Sequence, residues 1–306
     1  MMDNRKVINK IKEIISSDRV LEKEVMANHT SFRIGGPAEA LVLVNNEDEL
    51  AGVLKAVDGT EHILIGNGSN FLVSDDGYPG IMIRLEGEFD SIKQDDETTI
   101  TAGGAKLLSG VSSYATERGL AGFEFASGIP GSIGGAMFMN AGAYGGEMKD
   151  IVTKVRLMKP DGSEIFERSN TEMEFAYRNS AIQGDGSVVL SATFKLTKDE
   201  PAEIQKRVME LQQKRNSKQP VNYPSAGSTF KRPVAGYAAA LIDEAGLRGT
   251  SVGGAQVSEK HAGFVINTGN ATCEDVLALM RLIRETVYKT SGITLEPEVR
   301  LINCEL

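Results

Sequence analysis

The stretch GFEFASGIPGSIGGAMFMNAGAYGGE, residues 122–147, contains eight glycines. The predicted fold and ligand of the chain depend mainly on this stretch. Glycine allows positive φ angles and close approach of the backbone to a ligand. Pro130 fixes φ just before Gly131 and Ser132, which predicts a turn leading into a short helix. We expect the first amides of that helix to point outward without partners, an arrangement that suits a phosphate group.

A glycine-rich surface loop is the plain alternative for this stretch, because glycine clusters alone are weak motifs. Apolar side chains alternate with the glycines, however, and would hold the loop against a hydrophobic core. They are Phe123, Phe125, Ile129, Ile133, Met137, Phe138 and Met139.

The composition is that of an ordinary globular protein with room for two or three domains. The chain has 306 residues and a formal net charge of −9, which argues against general binding to nucleic acid or anionic membranes. No apolar run approaches the roughly 20 residues of a membrane span. The first residues show helical spacing of apolar side chains and no continuous apolar core of a signal peptide, so we expect a cytoplasmic protein.

A second glycine-rich turn, GNGSN at residues 66–70, follows directly after a predicted strand at 62–65. It lacks the third glycine of the dinucleotide fingerprint, and strands rather than a helix follow it. Two such turns suggest a ligand with more than one phosphate, and FAD, NAD(P) and nucleotide sugars all qualify. No GxxxxGK[ST] motif is present, and the two cysteines indicate neither a metal site nor a disulfide framework.

Hydrophobic periodicity predicts a mixed α+β chain. Helices are expected at 4–17, 47–57, 106–118 (with Leu107, Val111 and Tyr114 inward), 201–215, 237–245 and 273–290. Strands are expected at 20–26, 40–44, 62–65, 71–73, 80–85, 98–101, 151–159, 163–166, 187–196, 251–257, 264–267 and 294–302. A segment at 216–227, rich in Pro, Ser, Asn and Gly, marks a domain boundary.

Several polar residues outside the glycine turns could carry chemistry, each with a plainer alternative. Arg178, after Tyr177, could bind a carboxylate, although a solvated or structural arginine is commoner. Ser228 precedes Lys231 and Arg232, whose charges would favour loss of its proton, but it could equally be an ordinary turn serine.

Three further candidates lie near or beyond the predicted boundary. Lys218 could meet a diphosphate or simply close a helix, and a lone histidine such as His261 is more often structural than catalytic. Glu296 and Glu298 point to the same side of the last strand, where one could enter a site or both could be solvated on an edge strand.

Taken together, seven segments resemble the UDP-N-acetylenolpyruvoylglucosamine reductase (UDP-N-acetylmuramate dehydrogenase) family of bacterial cell-wall synthesis. They are NHTSFRIGGPA, GNGSNFLV, ASGIPGSIGGAMFMNAGAYGGE, FAYRNS, AGSTFKRP, GGAQVSEKHAGF and LEPEVR, and they occur in family order over residues 28–300. The resemblance implies a two-subdomain FAD-binding fold of the vanillyl-alcohol-oxidase type plus a smaller α+β substrate domain. We place the first FAD-binding subdomain at 1–75, the second at 76–216 and the substrate domain at 217–306.

The same resemblance implies the reaction and its residues. The family reduces the enolpyruvyl ether of UDP-N-acetylglucosamine to UDP-N-acetylmuramate, a peptidoglycan precursor; NADPH reduces FAD and leaves before the substrate accepts hydride from flavin N5. By motif position, Ser228 is the proton donor, while Arg178 and Glu298 stabilise the enolate. A glutamate acting directly there would be protonated or share a proton with the intermediate.

The binding residues follow from the matched motifs. For the substrate they are Tyr177, Lys218, Arg232 and Gln256. For non-covalent FAD they are Arg33, Gly66, Asn67, Gly68, Ser69, Asn70, Ser127, Gly128, Ile129, Gly131, Ser132, Gly134, Asn140 and Gly142. No metal is implied. The partners would be NADPH and the UDP-sugar, without nucleic acid or membrane insertion, and we expect a monomer rather than a stable oligomer.

The sequence differs from the longer class of the family in one respect, and two other functions are alternatives. The longer class of this family carries an inserted tyrosine loop, for which the sequence between Arg178 and Lys218 leaves no room, so the chain resembles the shorter class. A different FAD-dependent oxidase or dehydrogenase of the same fold is one alternative. A nucleotide-binding module without catalysis is the other.

Overall fold

The computed structural model describes residues 4–306, so the first three residues of the N-terminal segment lie outside the described residues. Its α-helices are α1 (Asn4–Ile14), α2 (Glu47–Val57), α3 (Leu108–Glu117), α4 (Ile133–Met139), α5 (Ile182–Asp185), α6 (Pro201–Lys218), α7 (Ala238–Glu244) and α8 (Cys273–Ser291). Short 3-10 turns lie at Ser17–Arg19, Met26–His29, Gly87–Asp90, Glu124–Ala126 and Met148–Asp150.

The strands are short and spread over the whole chain. The first nine are β1 (Val20–Glu22), β2 (Ala38–Val44), β3 (His62–Leu64), β4 (Phe71–Val73), β5 (Tyr78–Leu85), β6 (Ile92–Gln94), β7 (Thr99–Gly103), β8 (Leu120–Ala121) and β9 (Gly142–Ala143). The others are β10 (Gly146–Glu147), β11 (Val152–Met158), β12 (Ile165–Ser169), β13 (Val188–Lys195), β14 (Thr197–Lys198), β15 (Ser251–Val252), β16 (Ala255–Val257), β17 (Val265–Asn267) and β18 (Arg300–Ile302).

The chain divides into two compact units that are not continuous in sequence. Unit 1 comprises residues 4–22, Ala40–Asn67 and Gly80–Lys214, and unit 2 comprises Lys23–Glu39, Gly68–Pro79 and Arg215–Leu306. The boundary after Lys214 lies close to the one predicted near residue 216. The division into three domains at 75 and 216 stays a prediction.

The described part of unit 1 contains two larger sheets, two two-stranded sheets (β9–β10 and β8–β14) and two hydrophobic clusters. A four-stranded sheet has the order β1-β2-β5-β3, and a five-stranded sheet has the order β12-β11-β13-β7-β6. One cluster includes Leu50 of α2 and Val42 of β2, and the other includes Ile133 of α4 and Phe194 of β13. The second cluster anchors the central glycine stretch, because Phe123, Ile133 and Met137 are all buried in it.

Unit 2 is built around α8 and a single hydrophobic cluster. Its three-stranded sheet has the order β15-β16-β17, and β18 pairs in parallel with β4. Thr272 and Asp275 form a capping box at the start of α8, and Gly292 ends the helix in the left-handed conformation. Leu72 of β4 and Val276 of α8 are fully buried in the cluster.

The predicted helices α2 and α3 show where capping residues and hydrophobic spacing predict an element correctly and where they do not. The predicted helix at 47–57 is confirmed: the side chain of Asn46 accepts a hydrogen bond from the Glu49 amide (2.9 Å), and Leu50, Val53 and Leu54 are buried. The prediction that Leu107 faces inward is wrong, since Leu107 precedes α3 and is 43% exposed, whereas Leu108 is buried.

Candidate functional site

The central glycine stretch folds as a turn followed by the short helix α4, as predicted. Ser132 caps the helix, and its hydroxyl oxygen accepts a hydrogen bond from the Gly135 amide at 3.4 Å. Before it, Ser127, Gly128 and Ile129 follow the 3-10 turn Glu124–Ala126, with the Ser127 amide bonded to Glu124 O. After it, Gly142 pairs with Glu147 in the small hairpin β9–β10.

The prediction that the first amides of this helix lack partners is wrong. The Ile133 amide donates to Lys106 O (2.9 Å), and the Gly134 amide donates to Gly104 O (2.8 Å). A Cβ at Gly134 would lie 3.1 Å from Gly104 O, so glycine here lets two backbone segments approach closely. The Ile133 and Gly134 amides are therefore not available to a phosphate group.

The first residues of the turn at 66–70, Gly66 and Asn67, meet the central glycine stretch within unit 1. A Cβ at Gly66 would lie 2.6 Å from the Ser132 hydroxyl oxygen, so this contact requires glycine. The Asn67 side chain donates a hydrogen bond to Pro130 O at 2.9 Å. The grouping of Gly66, Asn67, Gly131 and Ser132 in one place is thus a property of the fold.

The main-chain amides of residues 66–70 differ from the first amides of α4. Among residues 4–306, none accepts a hydrogen bond from the main-chain amides of residues 66–70. Gly68 is buried and has φ +60°, and a Cβ there would lie 2.0 Å from His29 O. A run of unpaired amides in a glycine loop fits an anionic group such as the diphosphate of FAD.

Two other predicted cofactor residues have distinct surroundings. Arg33 is exposed, with φ +56°, and lies in unit 2. Asn140 is 1% exposed; its side-chain nitrogen donates to Glu147 (2.7 Å) and to Ala176 O (3.1 Å), and its side-chain oxygen accepts from the Lys149 amide (3.0 Å). The Asn140 amide group is therefore used within the protein, and its predicted contact with the cofactor stays a prediction.

Tyr177 and Arg178 lie at the tip of a tight turn in unit 1. Ala176 and Asn179 exchange two main-chain hydrogen bonds of 3.1 and 3.2 Å on either side of them. The Arg178 guanidinium carbon lies 5.1 Å from the centre of the Tyr177 ring. The turn thus presents an aromatic ring and a cation together.

The segments that carry Ser228 and Glu298 are joined in unit 2 through Thr229, the residue after Ser228. The Glu298 amide donates to Thr229 O at 2.9 Å, and the Thr229 hydroxyl accepts from the Val265 amide at 2.9 Å. Thr229 is 3% exposed, so these bonds are shielded from water. Asn70 joins the same group, because its side chain donates to Glu298 O at 3.2 Å.

The remaining candidates of unit 2 have contacts of their own. Lys218 is exposed at the end of α6, and the Arg232 guanidinium lies 4.3 Å from the centre of the Tyr237 ring. The Gln256 side chain donates to Gly249 O (3.3 Å) and to the Ser251 hydroxyl (3.1 Å). His261 packs edge-to-face on Phe264 and accepts a hydrogen bond from the Gly263 amide, which is a structural environment.

Sequence reasoning missed residues whose partners are far away in the chain. Thr229, beside Ser228, is one of them: its carbonyl accepts from the Glu298 amide and its hydroxyl accepts from the Val265 amide. Gln183 was also missed; it bonds to the carbonyl groups of Phe138 and Arg178. A turn threonine and an exposed glutamine carry no sequence signal for such contacts.

A groove of about 610 Å³ on the five-stranded sheet contains none of the predicted site residues. Several of its charged side chains pair with one another, as in the ion pairs Arg156–Glu47 and Lys154–Glu167.

Among the described residues, no group of three or more His, Cys, Asp or Glu side chains could hold a metal ion. None of the helices in residues 4–306 combines the length and apolar character needed to cross a membrane.

Comparison with known proteins defines first the class of protein. A family model described as an FAD-binding domain matches residues 38–166, which include both glycine-rich turns. A second model, described as the C-terminal domain of UDP-N-acetylenolpyruvoylglucosamine reductase, matches residues 219–302, which include Ser228 and Glu298. The chain thus has an FAD-binding fold with an added C-terminal domain.

Full-length relatives then define the family. The chain is 47% identical over 303 residues to UDP-N-acetylenolpyruvoylglucosamine reductase of Clostridioides difficile, covering 98% of this chain and 99% of that protein. It is 45% identical over 298 residues to the protein of the same name from Caldanaerobacter subterraneus, covering 97% and 98% of the two chains. The crystal structure of UDP-N-acetylenolpyruvylglucosamine reductase from Thermus caldophilus matches with a TM-score of 0.81 at 36% identity, covering 93% of this chain and 99% of that one.

The chain belongs to the UDP-N-acetylenolpyruvoylglucosamine reductase family. The resemblance found in the seven sequence segments is confirmed, and so are the FAD-binding fold and the assignment to FAD-dependent oxidoreductases.

Proposed function

We propose that this chain reduces UDP-N-acetylglucosamine enolpyruvate to UDP-N-acetylmuramate, using NADPH and FAD, in the cytoplasmic synthesis of peptidoglycan precursors. The observation that carries the proposal is family membership over 98% of the chain at 47% identity. Bound FAD would supply hydride from its N5 atom to the methylene carbon of the enol ether.

The cofactor would be held without a covalent bond. The unpaired amides of residues 66–70 fit its diphosphate, and Gly66 and Asn67 lie against Ser132 and Pro130 of the second glycine turn. We assign the same role to the other residues matched by motif, Arg33 and those of the 127–142 segment among them.

Arg178, Glu298 and Ser228 would act on the substrate. As the methylene carbon accepts hydride, negative charge develops on the α-carbon and the carboxylate. The Arg178 guanidinium can stabilise that charge by a charge-assisted hydrogen bond, and Glu298 would assist as a hydrogen-bond donor only in its protonated form. The Ser228 hydroxyl then delivers a proton to the α-carbon.

The UDP-sugar would be bound by groups that do not react. Lys218 and Arg232 are exposed cations suited to a diphosphate, and Tyr177 and Gln256 complete the proposed substrate set. Between Arg178 and Lys218 the chain contains α5, β13, β14 and α6, in keeping with the shorter class of the family. We infer a monomer, which light scattering would test.

An anaerobic absorbance trace near 450 nm tests the proposal. NADPH should bleach the FAD-loaded protein, and UDP-N-acetylglucosamine enolpyruvate should then restore the colour promptly. A protein that bleaches but recovers only with air would retain the flavin fold and lose this substrate, which would favour a different oxidase or dehydrogenase.

The Ser228→Ala variant tests the proton donor. We expect NADPH to bleach it at the wild-type rate and the substrate to restore the colour about 100-fold or more slowly, because general acid catalysis typically contributes that much. Recovery near the wild-type rate would assign the proton to another group.

A further inference from the structure

The turn that carries Arg178 has a backbone conformation that is costly for arginine. Arg178 has φ +54° and is the second central residue of the tight turn closed by Ala176 and Asn179. Glycine or asparagine normally takes this position, because an L side chain crowds the backbone at positive φ. Such strain persists where the surrounding structure enforces it, and it concentrates at functional sites.

Gln183 supplies one of the contacts that hold this conformation. Its side-chain nitrogen donates to Arg178 O at 3.0 Å and to Phe138 O at 2.7 Å, so one amide links the strained residue to the last turn of α4. The Ser180 hydroxyl donates to the same Phe138 carbonyl at 2.9 Å. The turn is therefore tied to α4 just after Arg178.

Asn140 holds the turn on its other side. This residue ends α4 with φ +42°, and its side chain donates to Ala176 O at 3.1 Å. The side chain itself is fixed by Glu147 and the Lys149 amide, and it is almost completely buried. Two amide side chains, one at each end of the turn, thus connect it to one short helix.

We propose that Gln183 and Asn140 are positioning residues that hold Arg178 in its left-handed conformation, aimed at the carboxylate of the substrate. This inference rests on the proposed function, since it assumes that Arg178 stabilises the enolate. Neither residue needs to contact the substrate or the flavin for this role. Helix α4 begins at the glycine-rich turn and ends at groups that bond to the turn of Arg178, so the position of the glycine-rich turn affects the position of the arginine.

The test uses the FAD-loaded protein with Gln183 replaced. Gln183→Ala removes both bonds, and Gln183→Glu keeps the shape but loses the N–H donors. The matched control is Gln94→Ala, because Gln94 is an exposed glutamine of unit 1 whose side chain donates to Glu97 O at 3.4 Å. Asn140→Gly removes the second contact and tolerates the positive φ.

We expect substrate-dependent recovery at 450 nm to slow about 3- to 10-fold in both Gln183 variants and in Asn140→Gly, as for the loss of one hydrogen bond that acts in the transition state. In the two Gln183 variants, bleaching by NADPH should stay within about twofold of wild type. In the Arg178→Ala background, Gln183→Ala should cause no further slowing. A full additional loss there, or equal slowing of both half-reactions, would overturn the positioning role.

Hydrogen exchange provides a readout that does not depend on substrate. The Ala176 and Asn179 amides should exchange several-fold faster in Gln183→Ala than in Gln94→Ala, since they close the turn. Unchanged exchange would overturn the inference. If exchange rises while the wild-type protein fails to recover with substrate, the proposed function fails and Gln183 still holds the turn.

Discussion

At the scale of single residues, two glycines have similar positive φ angles but differ in whether there is space for a side chain. Gly68 and Gly292 have φ +60° and +72°. A Cβ at Gly292 meets nothing within 4 Å, whereas one at Gly68 would lie 2.0 Å from His29 O. Glycine at 68 is required by space as well as by conformation.

The matched pair Gly68→Ala and Gly292→Ala tests this distinction. Gly292→Ala should lower the free energy of unfolding by about 1 kcal/mol, the cost of positive φ. Gly68→Ala should lower it by about 3 kcal/mol and weaken FAD binding, because the clash is with backbone that no rotamer change relieves. Urea denaturation and flavin titration measure both effects, and equal losses in the two variants would contradict the steric argument.

His261 predicts a pH dependence of stability. Burial lowers the pKa of His261 in the folded protein, with the Arg248 charge acting in the same direction, while the unfolded value is about 6.5. The unfolded chain therefore binds more protons below about pH 7, and stability falls as the pH decreases through 6.5.

The measurement is the urea midpoint of wild type and His261→Asn between about pH 7.5 and 5, the range around the unfolded histidine pKa. The wild-type midpoint should fall more steeply on acidification, since protonation also removes the acceptor for the Gly263 amide. Parallel curves for the two proteins would mean that His261 does not contribute.

At the scale of elements, α8 is stabilised by a carboxylate from a distant part of the chain. The Asp75 side chain accepts hydrogen bonds from the amides of Cys273 (2.8 Å) and Glu274 (3.2 Å) at the helix start. Asp75→Ala should lower the free energy of unfolding by about 1 kcal/mol. The exposed neighbour Asp76 is the control, and an equal loss in Asp76→Ala would remove the capping explanation.

The elements also show what sequence patterns can and cannot predict. Helices α2 and α8 were predictable because Asn46 and Thr272 give local capping signals and their apolar residues repeat at helical spacing. The partners of the Ile133 and Gly134 amides were not, since Lys106 and Gly104 belong to another part of unit 1. For the site, motifs gave Ser228, Arg178, Glu298 and Asn140 as candidates, whereas the hydrogen bonds made by Thr229, Gln183 and Asn140 exist only in the folded chain.

At the scale of the whole molecule, strand β18 near residue 306 pairs with a strand from a much earlier part of unit 2. Strand β18 pairs with β4, which directly follows the loop at residues 66–70. Removal of residues 300–306 should leave β4 without this partner, and we expect loss of FAD binding together with reduced solubility. Removal of Glu305 and Leu306 alone keeps β18 and is the control; flavin content after gel filtration measures both. FAD retained by the longer truncation would show that β18 is dispensable for the loop.

The discontinuous composition of unit 2 sets an order of events on the ribosome. Its first two segments, Lys23–Glu39 and Gly68–Pro79, emerge long before Arg215–Leu306, which carries α8 and β18. Because nascent chains fold as complete units emerge, unit 2 must wait until Arg215–Leu306 has been synthesised. Unit 1 ends at Lys214 and can form its clusters earlier, so a stalled or prematurely terminated chain would present a folded unit 1 with the segments of unit 2 still unassembled.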